Sequence, residues 1–371
     1  MDALVLIGSF LVFMVIGVPI AFSLGLAALV GAMWIDIPPE AIMLKISDGT
    51  DDFSLLAIPF FVLAGAIMAE GGMAYRLINL AKVLVGWIRG GLAVVNIFAS
   101  TLFGTISGSS VADTASVGSI MIPQMVRMGY PRIFAVNLTI CGSVQAVLIP
   151  PSHNAVIYSI AAGGSVSIAH LFLAGILPGA LFGLCLVGLV LWTARRQDMP
   201  KAESVTFGES LKIAADSVWG LGTVFIILGG ILSGVFTATE SAAVACVYAF
   251  IVTMFIYRDY KWKDLPRLVH RTVKTVAMVM LLIGVSAAFG YMMALMQIPA
   301  QATALFLEIT NNKYVMLMLV NILLLLLGTF MDMAPMLLIC TPILLPVVKA
   351  FGVDPVHFGM IMIVNLAIGL I

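Results

Sequence analysis

Charged residues are scarce in this sequence. Only 10% of its 371 residues are Asp, Glu, Lys or Arg, and 62% are hydrophobic. An ordinary soluble domain carries roughly a quarter of its residues as charged side chains. The formal net charge is zero, which gives no case for a nucleic-acid partner. The composition therefore argues against a soluble fold and indicates a protein embedded in the lipid bilayer.

The motifs of several enzyme classes are also missing. The four cysteines stand alone in apolar segments, without C-x-x-C or Cys/His spacing. His170, His270 and His357 show no metal-ligand spacing. Neither G-x-x-x-x-G-K-[ST] nor G-x-S-x-G occurs, so ATP hydrolysis and an esterase-type nucleophile have no support. We expect no catalytic residues, no metal centre and no bound cofactor.

Long apolar runs are abundant, and several reach the roughly 20 residues that a membrane-spanning helix needs. The fold class predicted is an all-α polytopic membrane protein. The first run, about residues 3–34, is either one tilted helix or two short helices broken at Gly17-Val18-Pro19. The two alternatives place the N-terminus on opposite sides of the membrane, and both stay open. The other runs cover about residues 55–70, 92–126, 133–163, 168–194, 218–234, 240–257, 275–296, 314–350 and 356–371.

Two stretches of the chain repeat one pattern. Residues 104–152 and 328–371 both open with Gly-Thr and a polar tip that carries an aspartate. Each continues through an apolar limb to a proline (Pro123, Pro346) and turns at a glycine six residues later (Gly129, Gly352). Interrupted hydrophobic segments at corresponding positions of two halves indicate the binding site of a secondary transporter.

The distribution of basic residues suggests an orientation for these segments. Ten of the eighteen Lys/Arg lie between Arg195 and Lys274, which the positive-inside rule places in the cytoplasm. Hairpin one, about residues 92–126, then enters and leaves on the cytoplasmic side, and hairpin two, about 314–350, on the outer side. The segment from Asp36 to Asp52 is expected as an acidic outer loop. Residues of about 258–274 are expected as an amphipathic segment on the inner membrane surface.

The chain is therefore divided into two inverted repeats. Residues 1–215 hold scaffold helices, hairpin one and a broken helix of about 133–163, with its break at Pro150-Pro151. Residues 216–371 hold scaffold helices, the amphipathic segment, hairpin two and a second broken helix from residue 356. The second break is expected just beyond Ile371, where the sequence stops in mid-helix, so part of one predicted ion site is expected to be missing.

Non-helical backbone at membrane depth persists only where it is buried in protein or lines a cavity. Freed carbonyls and helix C-termini there supply oxygen ligands for Na⁺, and half-helix N-termini suit a carboxylate. The serines among these residues are also typical helix caps. The candidate Na⁺ ligands at these breaks are Ser107, Gly108, Ser109, Pro150, Thr329 and Asp332. The candidate substrate ligands are Ser110, Asp113, Ser152, Asn154 and Pro335.

Three acidic residues lie at or near membrane depth: Asp113, Glu240 and Asp332. Charged groups in the bilayer are unfavourable, so such positions suggest a function by default. Asp332, at the tip of hairpin two, is the strongest ion-site candidate. Glu240 follows Thr237 at the turn between two helices, where the pattern favours helix capping.

At these residues the chain resembles the large membrane (M, DctM-like) subunit of tripartite ATP-independent periplasmic (TRAP) transporters. The resemblance runs from end to end. Its matching motifs are IPFFVLAGAIMAEGG (58–72), GTISGSSVADTASVGSIMIPQMVRMGY (104–130), LIPPS (148–152), GVFTATESAA (234–243) and GTFMDMAPMLLICTPILLPV (328–347), with its continuation to GVDPVHFG (352–359).

The resemblance implies a bacterial inner-membrane subunit that imports an organic anion, such as a C4-dicarboxylate or sugar acid, by an Na⁺-driven elevator mechanism. It also implies two partners, a small four-helix membrane subunit and a periplasmic substrate-binding protein. In that family Na⁺ sits between each hairpin tip and its facing broken helix. This carries over to residues 107–110 with Pro150, Pro151 and Ser152, and to Gly328, Thr329 and Asp332.

Two alternatives remain open. The nearest alternative is a self-sufficient Na⁺/dicarboxylate or citrate symporter of the same superfamily, and a requirement for a soluble binding protein separates it from the tripartite transporter. An intramembrane enzyme that uses Asp113 and Asp332 as an acid/base pair would need both carboxylates within reach of one another. The repeat places them at equivalent tips instead, so we expect a transporter and not an enzyme.

Overall fold

A computed structural model describes residues 1–196, Met199 and residues 207–371, apart from the side chains of Ile106, Ser107 and Phe207. The described residues form helices joined by loops and short turns, which confirms the predicted all-α class. The α-helices are α1 (Asp2–Val15), α2 (Ile20–Trp34), α3 (Pro39–Asp48), α4 (Ala57–Glu70), α5 (Met73–Val85), α6 (Gly91–Ser107), α7 (Ser110–Arg127), α8 (Arg132–Leu148), α9 (His153–Ala161), α10 (Ile168–Arg196), α11 (Phe207–Val224), α12 (Gly230–Leu232), α13 (Ala238–Ile251), α14 (Leu265–Leu295), α15 (Ile298–Ile309), α16 (Lys313–Gly328), α17 (Met333–Ala350) and α18 (Pro355–Gly369).

Several of these helices are suited to a bilayer. Within the described residues, six helical segments have the length and apolar composition to cross a membrane, and the bent pair α8–α9 makes a seventh if it counts as one span. The other apolar helices are shorter, and they include α1 and α2 at the N-terminus and α16. The predicted multi-pass membrane protein is therefore confirmed.

The N-terminal apolar run forms two helices. Gly17 adopts a left-handed backbone conformation, with φ at 93°, after α1 ends. Pro19 then precedes α2 as its N-cap residue. Glycine tolerates positive φ and proline has no backbone N–H to continue a helix, so the Gly17-Val18-Pro19 sequence separates α1 from α2.

Two expected segments differ in the structure. The acidic stretch from Asp36 to Asp52 is not only a loop, because α3 forms within it after Pro38 and Pro39, where proline suits a helix start. The amphipathic segment of about 258–274 does not form a separate surface helix. Residues from Leu265 onward continue without interruption into the 31-residue helix α14, because no proline follows Pro266 to break the helix. The sequence pattern also did not predict α15.

The two predicted hairpins are present and share one local plan. Helices α6 and α7 form hairpin one, and α16 and α17 form hairpin two. The features from the tip onward recur at a constant offset of 223 residues. They are the N-cap of the second limb (Ser109, Asp332), the proline inside it (Pro123, Pro346), the left-handed glycine after it (Gly129, Gly352) and the N-cap of the next helix (Pro131, Asp354).

The chain separates into two compact units. One comprises residues Met1–Leu56, Asn154–Leu171 and Lys274–Leu370, and therefore contains hairpin two with α18. The other comprises Ala57–His153 and Phe172–Val273, and contains hairpin one with α8. We call them the hairpin-two unit and the hairpin-one unit. Because these units are defined by packing, the division into two repeats at residues 215 and 216 stays a prediction.

Small residues let each hairpin approach its following helix closely. In the hairpin-one unit, a methyl group at Gly104 would lie 2.5 Å from the Cα of Ala146 on α8. In the hairpin-two unit, a methyl group at Gly328 would lie 3.2 Å from the Cα of Gly369 on α18. Such close contacts between helix backbones are typical of membrane helix packing, which depends on van der Waals contact.

Candidate functional site

The tip of hairpin one lies between α6 and α7. Helix α6 ends at Ser107, and Gly108 takes a left-handed conformation, with φ at 57°. Ser109 is the N-cap of α7, and its hydroxyl accepts a hydrogen bond from the backbone N–H of Ala112 over 3.4 Å. The side chain of the predicted ligand Ser107 lies outside the described part of the chain.

The helix after hairpin one is broken where the sequence predicts. Helices α8 and α9 are bent by 52° at a break that contains Pro150, Pro151 and Ser152. All three of these residues are buried. Because prolines carry no backbone N–H, the carbonyls of the preceding turn cannot all find helical partners here. The break thus buries backbone carbonyls that have no partner within their own helix.

Hairpin one and this break meet directly. A methyl group at Gly108 would lie 2.5 Å from the carbonyl oxygen of Pro151 and 3.2 Å from the Cα of Ser152. Ser152 is only 3% exposed, and its hydroxyl oxygen makes no hydrogen bond with any described residue. The structure therefore brings together Gly108, Ser109, Pro150 and Ser152 of the predicted set, with an unpartnered hydroxyl among them. Ser110, also half-buried, follows as the first residue of α7.

Asp113 lies one turn beyond the tip, inside the helix packing. Its side chain is 0% exposed, and neither carboxylate oxygen makes a hydrogen bond with the described residues. The hydroxyl of Ser100, on α6, is a neighbouring polar group. Its predicted role as a substrate ligand stays a prediction.

The tip of hairpin two is longer and more open. Helix α16 ends at Gly328, and the exposed hydroxyl of Thr329 donates a 2.7 Å hydrogen bond to the carbonyl of Leu326. Asp332 is the N-cap residue of α17, yet its side chain makes no capping hydrogen bond. The side chain of Asp332 is exposed. Its carboxylate is therefore free to bind a cation that approaches the N-terminus of α17.

Two predicted substrate ligands belong to the same unit as hairpin two. Pro335 is buried within the first turn of α17, inside the helix and past the tip. Asn154, at the start of α9, is 4% exposed. One turn further on, the hydroxyl of Tyr158 donates a 2.7 Å hydrogen bond to the carbonyl of Pro355. This hydrogen bond joins α9 to α18, and the substrate-binding roles of Asn154 and Pro335 stay predictions.

Glu240 has a structural role, as its sequence context favours. Its carboxylate accepts hydrogen bonds from the backbone N–H and the hydroxyl of Thr237, at 2.8 and 2.9 Å. The hydroxyl of Thr237 accepts one in return from the backbone N–H of Glu240. This reciprocal arrangement is a capping box at the start of α13.

A polar cavity of about 390 Å³ lies elsewhere in the hairpin-one unit, among Glu70, Gly72, Tyr75, Arg76, Asn79, Asp216 and Asp259. Arg76 donates hydrogen bonds to Asp216 and Asp259, at 3.0 and 2.6 Å, and stacks on the ring of Tyr257. Burial opposes the charge of Arg76, but its two carboxylate partners prevail and raise its pKa above the usual value. None of the predicted ligands lines this cavity, so we assign it to helix packing.

The sequence reading missed a set of buried polar residues on α6. Asn96 donates a 2.7 Å hydrogen bond to the hydroxyl of Thr139 on α8, and Ser100 faces Asp113. Asn96 and Ser100 are four residues apart and so share one face of α6. That spacing, within an otherwise apolar helix, is the signal that would have pointed to them.

Comparison with known proteins identifies the relatives of this chain. The profile of the family described as "Tripartite ATP-independent periplasmic transporter, DctM component" matches residues 7–371. The chain is 44% identical to the uncharacterized protein YgiK of Salmonella typhimurium, over 99% of this chain and 85% of the relative. It is 42% identical to the C4-dicarboxylate TRAP transporter large permease protein DctM of Pseudomonas aeruginosa, over 90% and 77%. It is 39% identical to the isethionate TRAP transporter permease protein DctMQ of Oleidesulfovibrio alaskensis, over 99% and 58%.

Solved structures with a similar fold are much more distant in sequence. The YdaH transporter of Alcanivorax borkumensis superposes with a TM-score of 0.61 at 14% identity, over 92% of this chain and 78% of that one. MtrF of Neisseria gonorrhoeae superposes with a TM-score of 0.58 at 13% identity, over 88% and 72%. At this level of identity the likeness concerns the fold alone.

Proposed function

This chain belongs to the family of DctM components of tripartite ATP-independent periplasmic transporters, and we propose that it imports a small organic anion with Na⁺ as the coupling ion. It is a multi-pass protein of the inner membrane and a transport subunit, not an enzyme. One observation carries the ion assignment. The tip of hairpin one lies against the break after α8, where backbone carbonyls and the unpartnered hydroxyl of Ser152 are buried together.

Both hairpin tips supply the oxygen atoms that Na⁺ takes at broken helices. In the hairpin-one unit the carbonyl of Pro151 and the hydroxyl of Ser152 adjoin Gly108, and Ser109 and Pro150 complete the set. In the hairpin-two unit Gly328 and Thr329 end α16, and Asp332 presents a free carboxylate at the start of α17. We infer one Na⁺ at each tip.

The substrate class follows from the family and from the charge of the sites. The Pseudomonas relative is named for C4-dicarboxylates and the Oleidesulfovibrio relative for isethionate, and both are small organic anions. A bound Na⁺ and the N-terminus of α7, which is the positive end of the helix dipole, would attract such an anion. Ser110 lies at the N-terminus of α7, where a carboxylate would accept hydrogen bonds.

The family description as a DctM component of a tripartite system indicates two partners. We propose a small four-helix membrane subunit, consistent with the name DctMQ of a relative of which this chain covers 58%. The second partner is a periplasmic protein that delivers the anion. We further propose an elevator movement, which the two hairpins support because they share one plan at a constant offset of 223 residues.

Uptake into proteoliposomes tests this proposal. The vesicles hold this chain, its small partner and the cognate binding protein, and labelled C4-dicarboxylates and other small organic acids are offered with and without an inward Na⁺ gradient. We expect uptake to need both Na⁺ and the binding protein. Asp332→Asn should raise the Na⁺ concentration for half-maximal uptake about tenfold, the equivalent of about 1.4 kcal/mol for one lost charged contact.

Asp354→Asn is the matched control, because Asp354 is also an N-cap aspartate of the hairpin-two unit. Unlike Asp332, it accepts hydrogen bonds from the backbone N–H groups of Val356 and His357, at 2.9 and 3.1 Å. Its substitution should leave the Na⁺ dependence unchanged. Uptake that ignores Na⁺ would reject the ion sites. Uptake without the binding protein would assign the chain to the self-sufficient symporters.

A further inference from the structure

The segment that leads from the end of α13 into the first turn of α14 presents a cluster of basic side chains. Arg258, Lys261, Lys263 and Arg267 are all exposed. None of the four forms an ion pair with another residue in the described part of the chain. Arg258 donates a 3.2 Å hydrogen bond to the backbone carbonyl of Phe255, which leaves its charge uncompensated. We call these four residues the basic surface.

The carboxylates beside the basic surface are mostly paired with other cations. Asp259 accepts a 2.6 Å hydrogen bond from Arg76. Glu70 accepts one of 2.7 Å from Arg271. Within residues 258–274 the exposed Asp264 is the one carboxylate that has no cationic partner among the described residues. Four cations therefore face a single unpaired carboxylate, and the surface is complementary to an anion.

An aromatic cluster adjoins the basic surface. The ring of Trp262 meets those of Phe250 and Phe255 edge to face, with centroids 6.0 and 6.2 Å away. Trp262 is 61% exposed, although it lies between two apolar spans, residues 238–257 and 265–295. Tryptophan is enriched where membrane helices meet the headgroup layer, because its ring is apolar and its N–H is polar. The cluster therefore marks the end of two spans at the level of the lipid headgroups.

The first turns of α14 separate charge from apolar surface in the same region. Arg267 and Arg271 are four residues apart and share one face of the helix, whereas Val269 and Val273 share the opposite face. Both valines are exposed, and Leu268 is buried in the packing. An exposed basic face and an exposed apolar face on one helix are typical of the boundary between headgroups and acyl chains.

We propose that the basic surface and Trp262 bind anionic phospholipids of the surrounding bilayer. The ammonium groups of the two lysines and the guanidinium groups of the two arginines contact the lipid phosphates. Trp262 and Phe255 contact the upper part of the acyl chains. A lipid with net negative charge is favoured over a zwitterionic one, because the cationic group of the latter would lie among the same uncompensated cations. The proposal does not depend on the Na⁺ sites or on the transported anion.

Fluorescence quenching by brominated lipids tests this proposal without measuring transport. The full chain is made with Trp262 as its sole tryptophan, through Trp34→Phe, Trp87→Phe, Trp192→Phe and Trp219→Phe. It is reconstituted in phosphatidylcholine vesicles that contain brominated phosphatidylglycerol or brominated phosphatidylcholine. Bromine quenches tryptophan only at short range, so quenching measures the lipid beside Trp262. We expect the relative binding constant of phosphatidylglycerol to be at least about fivefold higher, the factor that one basic residue at a membrane surface supplies.

Variants of the basic surface show whether its charge produces this preference. Lys261→Gln/Lys263→Gln should bring the ratio of the two binding constants close to one, whereas Lys261→Arg/Lys263→Arg should preserve it. Higher ionic strength should weaken the preference, because the side chains are exposed and screened by salt. Arg127→Gln/Arg132→Gln is the matched control. It removes the same charge from two exposed residues at the junction of α7 and α8, and the preference at Trp262 should stay unchanged.

Equal quenching by the two lipids would overturn the proposal and favour a protein partner for the basic surface. An equal loss of preference in the Arg127/Arg132 variant would also overturn it, because the net charge of the chain would then attract the lipid. So would a preference that inorganic phosphate removes when chloride of the same ionic strength does not, since the site would then bind free phosphate. If the tryptophan replacements prevent folding, the wild type is extracted from vesicles with equal amounts of both lipids, and mass spectrometry counts the lipids retained.

Discussion

The two hairpins share a backbone plan but carry their acidic residue at different depths. At the constant offset of 223 residues, Ser109 corresponds to Asp332, and Asp113 corresponds to Met336. Hairpin one has a neutral cap at its tip and a buried acid one turn inside. Hairpin two has an exposed acid at its tip and a buried methionine one turn inside. Equivalent backbone positions therefore do not imply equivalent chemistry.

The two aspartates therefore have carboxylates in different environments. An exposed aspartate at a helix N-terminus is stabilised by the helix dipole and remains available to a cation. A fully buried aspartate without a compensating charge is stable only when neutral. Residues that the sequence pattern treats alike, as aspartates of a hairpin tip, thus differ in environment, because Asp332 is exposed and Asp113 is enclosed by helix packing.

The largest expected effect comes from Gly108→Ala. Left-handed backbone is unfavourable for alanine by about 1–2 kcal/mol. The added methyl group would also lie 2.5 Å from the carbonyl oxygen of Pro151, a backbone atom that cannot rotate aside as the end of a flexible side chain can. We expect Na⁺-driven uptake in proteoliposomes to fall at least about tenfold, the factor that 1.4 kcal/mol represents, as the tip is pushed off the break.

Gly129→Ala and Gly352→Ala are the matched controls for this change. Both glycines have positive φ, at 92° and 71°, but a methyl group at either would meet no atom within 4 Å. These two substitutions should lower the free energy of unfolding only because alanine disfavours a left-handed backbone. The Na⁺ affinity should stay that of the wild type. If Gly108→Ala behaves like these two variants, contact between tip and break does not matter for uptake.

A second pair of variants compares the hairpin-to-helix contacts. Gly104→Ala places a methyl group 2.5 Å from the Cα of Ala146, whereas Gly328→Ala places one 3.2 Å from the Cα of Gly369. Overpacking typically costs about 1–3 kcal/mol, so Gly104→Ala should lie at the upper end and Gly328→Ala at the lower. Thermal unfolding in detergent or lipid measures both. Equal decreases in unfolding temperature would mean that both hairpin-to-helix contacts tolerate an added methyl group equally well.

The smallest effect is expected from the polar bridges between each hairpin and its next helix. Asn96 donates to Thr139 over 2.7 Å in one unit, and Asn365 donates to Asn321 over 2.5 Å in the other. Thr139→Val removes that acceptor, but the amide of Asn96 keeps its contact with the sulfur of Met125 at 3.6 Å, so the loss should be about 1 kcal/mol, the low end for a buried polar group. Asn321→Leu should be milder, because Asn365 keeps its bond to the carbonyl of Ile361. The reverse order of unfolding temperatures would contradict this ranking.

Much of the fold was predictable because lipid imposes simple rules. Apolar runs predicted the helices, and the breaks at residues 107–110 and at Pro150-Pro151 were located from glycine, proline and serine. Helices α3 and α15 escaped because short helices carry weak signals between strong spans. The residues from Leu265 to Lys274 continue without a break into α14, and the position of the amphipathic segment of about 258–274 on the inner membrane surface stays a prediction. The orientation of the hairpins in the membrane stays a prediction.

The candidate site was predictable in part. The tip of hairpin one and the break after α8 were named from the sequence, and the structure places Gly108 against Pro151 and Ser152. The binding roles of these residues stay predictions, as do those of Ser110, Asn154 and Pro335. Ser100 and Thr139 were not named, because a hydroxyl on an apolar helix becomes informative only when its neighbours across the packing are known.

The sequence by itself determined the class of molecule, the helical segments, the repeated hairpins and the resemblance to a transporter family, because periodicity, composition and chain breaks are local properties. Only the tertiary structure decided which aspartate is exposed and which is sealed. Burial and hydrogen-bond partners arise from residues far apart in the chain. The ionisation of an aspartate depends on that environment more than on its position in a motif.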